Sequence, residues 1–92
     1  MKNIVIYTTD RCPYCVRAKN LLDKKGVEYR ELRVDRDPKL ALEAEEKSGG
    51  RKTVPQIFID DYHVGGCDEL YGLERENKLD PLLEERDKGE LS

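Results

Sequence analysis

The sequence lacks any long apolar run. Near its start the longest is Ile4 to Tyr7, far short of a secretory leader's core or of the ~20 residues that cross a bilayer. A soluble, cytoplasmic protein is expected, without membrane partners. It also lacks an excess of positive charge: 17 Lys and Arg stand against 20 Asp and Glu, a formal net charge of −3. That leaves no basic field to neutralise a phosphodiester backbone, so nucleic acid is not an expected partner. Cysteine is scarce as well, at three in 92 residues. The number is odd and two of the three share one C-x-x-C, which fits redox or metal chemistry better than a secreted disulfide scaffold. What is abundant is charge: 40% of the residues, mixed in sign and broken by apolar segments, against ~25% in average soluble domains. Disorder and collagen-like repeats are excluded. A single domain over 1–92 fits the length, and such a chain buries roughly two thirds of the surface its unfolded form exposes.

Asn3 to Thr8 is rich in β-branched residues and reads as a short buried strand. From Pro13 the period changes: Cys15, Ala18 and Leu22 fall at i, i+3 and i+7, with Leu21 beside them, and Gly26 stops the helix. Glu28 to Val34 alternates, with Arg30, Leu32 and Val34 on one face and Tyr29, Glu31 and Arg33 on the other. Strand, helix and strand in about thirty residues form a βαβ unit with parallel strands. Asp37-Pro38 opens a second helix running to Ser48, with Leu40, Ala41 and Ala44 as its packed stripe. Thr53 to Ile59 is a third strand interrupted by Pro55, and Asp60-Asp61 turns it into Tyr62-His63-Val64. Helical pattern resumes at Asp68, and Asp80-Pro81 is expected to cap a last short helix before a charged tail, 84–92, that frays. The fold class is α/β: four strands, a parallel pair joined to an antiparallel hairpin, flanked by helices.

Cys12-Pro13-Tyr14-Cys15 sits where a strand's carboxyl end turns into a helix, beside unpaired backbone N–H groups that favour an anion. Thiolates are stabilised at such sites. Arg11 should help and Asp10 oppose. Lowering a thiol's pKa raises its thiolate fraction but cuts its nucleophilicity by a similar factor, so attack gains little. Departure gains more, because a stable thiolate leaves a mixed disulfide readily, and that suits a turnover catalyst. Cys15, one turn on, is the natural resolving thiol. The competing reading is a zinc site completed by His63-x3-Cys67. Pro13 stiffens the inter-cysteine turn and disfavours it; His63 alone reads as a solvent-facing strand residue, and no metal is expected.

Three separated segments, Cys12-Pro13-Tyr14-Cys15, Thr53-Val54-Pro55 and Gly65-Gly66-Cys67-Asp68, stand in the order and approximate spacing of a dithiol glutaredoxin. The chain resembles the small bacterial members over about residues 1 to 83. The resemblance implies the thioredoxin fold, a glutathione-dependent disulfide oxidoreductase activity, no bound cofactor, and a cis Val54-Pro55 bond. It further implies that glutathione is held by Tyr14, Arg51, Val54, Pro55, Gly66, Cys67 and Asp68. Val54, pushed to extended geometry by the proline, would offer its backbone to the tripeptide. Gly66 allows close approach, and Cys67 serves as a small residue lending its amide at a helix start that suits a carboxylate. Asp68 would take the γ-glutamyl ammonium, Arg51 the glycine carboxylate, and Tyr14 would flank the bound sulfur; Lys52 is a weaker candidate. Thr8 departs from the pattern, since relatives often place a basic residue there, a loss that Arg11 would have to make good.

By the same resemblance Cys12 and Cys15 are catalytic, glutathione is the reducing co-substrate, and the partners are disulfide-containing or glutathionylated proteins, ribonucleotide reductase among them. A monomer is expected. Two alternatives remain: a redoxin fed by thioredoxin reductase, disfavoured by Arg51 and Gly66-Cys67-Asp68, and an iron-sulfur or other metal module, disfavoured by Pro13 and the second cysteine.

Overall fold

Alternation decides which face of a strand is buried, and here it divides one sheet between two unequal layers. The computed structural model describes residues 3–83; the tail expected to fray, 84–92, lies outside the described residues. β1 (Ile4–Thr8), β2 (Arg30–Arg33), β3 (Gln56–Ile59) and β4 (Tyr62–Gly65) form one sheet in the order β2-β1-β3-β4. β1 and β2 are parallel, β3 runs antiparallel to β1, and β4 antiparallel to β3. Four helices, α1 (Pro13–Lys24), α2 (Pro38–Lys47), α3 (Cys67–Arg75) and α4 (Leu79–Leu83), complete the described residues. This is the mixed sheet expected from the pattern. Among the described residues, no helix is long and apolar enough to cross a membrane.

α1 buries Cys15, Ala18, Leu21 and Leu22, the residues that recur at helical spacing, and it ends where Gly26 takes φ +74°, a left-handed value natural to glycine. Its apolar stripe joins Ile4 and Ile6 of β1, Ile57 and Ile59 of β3 and Leu70 of α3 in the main core. The opposite face is thinner and more polar. Tyr7, Ala44 and Phe58 are buried there, with Val5, Leu32 and Val34 partly covered. Tyr7 meets Phe58 edge-on, ring centroids 5.8 Å apart, and its phenol donates to the Glu43 carboxylate of α2. Burial first, then Glu43, holds that phenol above its ordinary range, so it remains a donor at neutral pH.

Several boundaries differ from the expectation for identifiable reasons. β2 is an edge strand and lasts only as long as its ladder with Val5–Thr8, so it covers Arg30–Arg33 rather than Glu28 to Val34. β3 begins at Gln56 because Pro55 has no N–H to give a ladder, and β1 stops pairing with β3 at Tyr7 opposite Gln56. In α2 only Ala44 of the expected stripe is buried. Leu40 is half-buried, and exposed Ala41 walls a groove with Val34 and Val54 instead. α4 begins at Leu79, which puts Pro81 inside its first turn, where a missing N–H costs no helical bond.

Leu22 is fully buried at the centre of the main core. Leu22→Ala is expected to lower stability by about 2–5 kcal/mol, read as a fall in the urea midpoint at constant slope. A loss well under about 1 kcal/mol would mean that this core is not the one described here.

Candidate active site

β1 hands the chain to Thr9 and Asp10, Arg11 turns it with φ +56°, and Cys12 then stands as the N-cap of α1 with extended backbone at φ −109° and ψ 103°. Pro13 follows at the first helical position, where its fixed φ fits and its missing N–H is no loss. Cys12 Sγ accepts from the Cys15 N–H at 3.1 Å, taking the place that a Ser or Asp oxygen takes in other caps. It also lies 3.9 Å from the Val54 carbonyl. Cys12 is half-buried, while Cys15 and Cys67 are buried. Burial, followed by the hydrogen bond and charge of Cys12, pushes the Cys15 thiol up to about 12, against the opposing pull of a backbone bond at Thr9 and the charge of Lys19. Burial, with Asp68 adding to it, pushes the Cys67 thiol up as well.

Beside Cys12 opens a cleft of roughly 160 Å³. Three parts of the chain wall it: Tyr14 from α1, Arg51, Val54 and Pro55 from the loop before β3, and Gly66, Cys67 and Asp68 at the head of α3. Every residue expected to contact a peptide ligand is therefore brought to a single cleft. The Val54-Pro55 bond is cis. Tyr14 is 54% exposed, with the Arg17 guanidinium over its ring at 5.8 Å. Lys52 faces the neighbouring groove. Thr8 is buried, and its hydroxyl donates to Glu31 at 2.7 Å, so position 8 looks into the sheet and away from the cleft. Arg11 is exposed and outside the cleft wall.

Two wall residues, Thr53 and Glu69, were not expected. Glu69 accepts from the Gly66 N–H at 2.7 Å, and the Arg51 guanidinium lies 3.9 Å from the same oxygen. The spacing carries the signal: a Glu three residues after the cap position is one half of a capping box. Gly65 has φ +111°, and a Cβ there would stand 3.0 Å from Glu69 Oε1. His63 is not the solvent-facing residue expected of it. It is half-buried, stacked on Phe58 at 4.7 Å and bonded to Gln56 at 2.7 Å, so it is engaged away from Cys67. Among the described residues, no three or more His, Cys, Asp and Glu side chains gather as a metal-holding group.

Two cysteines one turn apart at a strand-to-helix junction, one half-buried and one buried, with a parallel-plus-antiparallel sheet of this order, are features of thioredoxin-fold dithiol oxidoreductases. Comparison with known proteins narrows the class. Residues 4–64 match the sequence model of the glutaredoxin family. The chain is 55% identical over 85 residues to Glutaredoxin 3 of Escherichia coli (strain K12), an alignment covering 90% of this chain and 99% of that protein. The solution structure of glutaredoxin from Brucella melitensis matches with a TM-score of 0.79 at 55% identity, covering 90% of this chain and 89% of that one. The crystal structure of a buckwheat glutaredoxin-glutathione complex matches with a TM-score of 0.80 at 32% identity, covering 89% and 76%. The chain belongs to the glutaredoxin family and is a glutathione-dependent thiol-disulfide oxidoreductase.

Because Gly65 occupies left-handed backbone against Glu69, Gly65→Ala is expected to cost at least about 1 kcal/mol and to expel the Glu69 carboxylate from its bond with Gly66. Chemical denaturation and the Gly66 amide shift in an NMR spectrum measure the two effects; an unmoved amide would contradict the second.

Proposed function

We propose that Cys12 and Cys15 reduce protein-glutathione mixed disulfides and protein disulfides, with the glutathione half of the mixed disulfide held in the cleft beside Cys12 and free glutathione as the reducing co-substrate. The observation that carries this reading is the composition of the cleft. Next to the Cys12 sulfur it offers the Val54 backbone for an extended peptide, the Arg51 cation and the head of α3 for carboxylates, and the Asp68 carboxylate for an ammonium. A γ-linked tripeptide carries one ammonium, two carboxylates and a thiol between them. The likeness to a glutaredoxin-glutathione complex supports the same assignment. Arg51 is not wholly free for the ligand, since Glu69 holds a share of its charge, and an arriving carboxylate competes with that side chain.

The Cys12 thiolate, accepting a charge-assisted bond from the Cys15 N–H, attacks the glutathione sulfur of a mixed disulfide. A disulfide forms between Cys12 and glutathione, and the protein thiolate departs. A second glutathione thiolate attacks that glutathione sulfur, oxidised glutathione leaves, and Cys12 is regenerated. On a protein disulfide, Cys12 forms the mixed disulfide with the target. Cys15 then attacks Cys12 Sγ, the target leaves as a thiolate, and two glutathione molecules reduce the Cys12–Cys15 bond. Burial, with the hydrogen bond and charge of Cys12 adding to it, keeps Cys15 protonated, and engagement of Cys12 in a mixed disulfide removes those two added influences. The resolving thiol thus becomes easier to ionise when it is needed. The chain acts as a single-domain monomer in the cytoplasm, on disulfide-containing or glutathionylated proteins such as ribonucleotide reductase.

Turnover of a glutathione mixed disulfide with glutathione as sole reductant tests the scheme. Cys12→Ser is expected to lose activity to background. Cys15→Ser keeps deglutathionylation and loses protein disulfide reduction; equal loss of both contradicts the two routes.

The pH dependence separates the steps. Burial, the largest of the influences that push the Cys15 thiol up, persists in the mixed disulfide, so its thiolate fraction still grows with pH throughout the neutral range. Release of a target thiol from a preformed Cys12 mixed disulfide, with no glutathione present, is therefore expected to accelerate by about tenfold per pH unit between about pH 6 and 8. A flat stopped-flow profile would show that Cys15 is not the titrating group.

A further inference from the structure

Behind the cleft, on the face of the sheet that α2 covers, a line of hydrogen bonds runs from His63 through Gln56 to Thr53. Gln56 is fully buried. Its amide nitrogen donates to the Thr53 carbonyl at 3.0 Å and to Thr53 Oγ1 at 3.2 Å. Its amide oxygen stands 2.7 Å from His63 Nε2. The reverse orientation of the amide would set its oxygen against the Thr53 carbonyl, acceptor against acceptor, so the network allows one orientation. His63 Nε2 must then be the donor. Burial and the Arg51 guanidinium hold the imidazole below its ordinary range, with Glu69 opposing, which keeps the ring neutral and its one proton on Nε2. The ring is held in place by stacking on Phe58 with planes 20° apart, and Phe58 is met edge-on by Tyr7.

Thr53 is where this line reaches the ligand site. Residues 51–55 belong to no strand or helix, so no ladder holds them. They are tied from below, by Ser48 Oγ donating to the Arg51 carbonyl at 3.1 Å and by Gln56 holding both acceptors of Thr53. Thr53 lines the cleft beside Val54, whose carbonyl faces Cys12 Sγ. Displacing Thr53 therefore displaces the backbone that faces the reacting sulfur.

We propose that His63 and Gln56 are positioning residues for glutathione: through their hydrogen bonds they fix Thr53, and with it the Val54 backbone that lies along the ligand. The proposal rests on the reading of the cleft as the glutathione site. Neither side chain lines the cleft. Their contribution is to hold the wall in its binding position before glutathione arrives, and it is the same in ground and transition states, so it belongs in KM rather than kcat.

The test compares His63→Phe, which keeps a ring to stack on Phe58 but has no donor, with His63→Gln, whose amide N–H reaches the position of Nε2. In His63→Phe the KM for the glutathione mixed disulfide is expected to rise about three- to tenfold with kcat changed by less than about twofold, and in His63→Gln to return toward wild type. In the free protein, the 15N order parameters of Thr53 and Val54 are expected to fall in His63→Phe from the roughly 0.85 of rigid backbone toward 0.6, and to hold in His63→Gln. Unchanged order parameters in folded His63→Phe overturn the proposal, as does a lowered order with unchanged KM. Should His63→Phe not fold, Gln56→Met, close in volume and without either hydrogen bond, carries the same comparison. A wild type whose rate does not saturate with the glutathione mixed disulfide overturns the reading of the cleft instead, while the order parameters still report on the relay.

Discussion

A sulfur atom doing the work of a cap oxygen organises this molecule. Cys12 Sγ accepts the Cys15 N–H at the entrance of α1, so the atom that begins the helix is also the atom placed to react. The bond ties catalysis to folding. Any chemistry at Cys12 Sγ changes the partner of the Cys15 amide, and any shift of the first turn moves both thiols together. Pro13 makes the arrangement economical, since the position between cap and Tyr14 has no N–H to satisfy. The two cysteines are one turn apart but live in different surroundings: Cys12 half-buried beside the Val54 carbonyl, Cys15 only 1% exposed. Burial is the largest of the influences that set the Cys15 thiol apart.

The sheet below serves the site unequally on its two faces. One face is an aliphatic core shared by α1, α3 and α4, which fixes the helix that carries both thiols. The other holds Tyr7 and Phe58 against α2 and continues to Gln56 and His63, joined by ring contacts and hydrogen bonds. Aliphatic packing tolerates small slippage, because it has no preferred direction. Hydrogen bonds and ring geometry do not, which suits a face whose far end is the loop from Arg51 to Pro55. Charge at the cleft is balanced in the same economical way: Glu69 holds the Gly66 amide at the head of α3 while sharing Arg51.

The parts of the fold that could be read in advance are those with a local signal. The β-branched run of β1, the helical recurrence from Cys15 to Leu22 and the stop at Gly26 lie within short windows and were placed to within a residue or two. Boundaries moved where a partner strand, absent from any window, set the length, as for β2 and for β3 after Pro55. In α2 the period was right, yet Ala41 faces a groove, because which turn of a helix rests on a sheet depends on the whole layer. His63 was misread for a related reason. Alternation along four residues cannot say that the neighbouring strand offers Phe58 as a stacking surface and Gln56 as an acceptor.

The sequence by itself determined the chemistry: a dithiol at a strand-to-helix junction, a proline loop, a glycine pair at a helix head, and an α/β order that joins a parallel pair to a hairpin. Each of these depends on neighbours along the chain, whose geometry is set by backbone sterics and capping. Only the tertiary structure decided what the segments do to one another. It brought Tyr14, Arg51, Val54 and Asp68 to one cleft, set Glu69 against Arg51, and ran the bonds from His63 to Thr53 behind it. Those contacts join residues on different elements, and sheet register and layer packing, which carry no mark in any short window, are what bring them together.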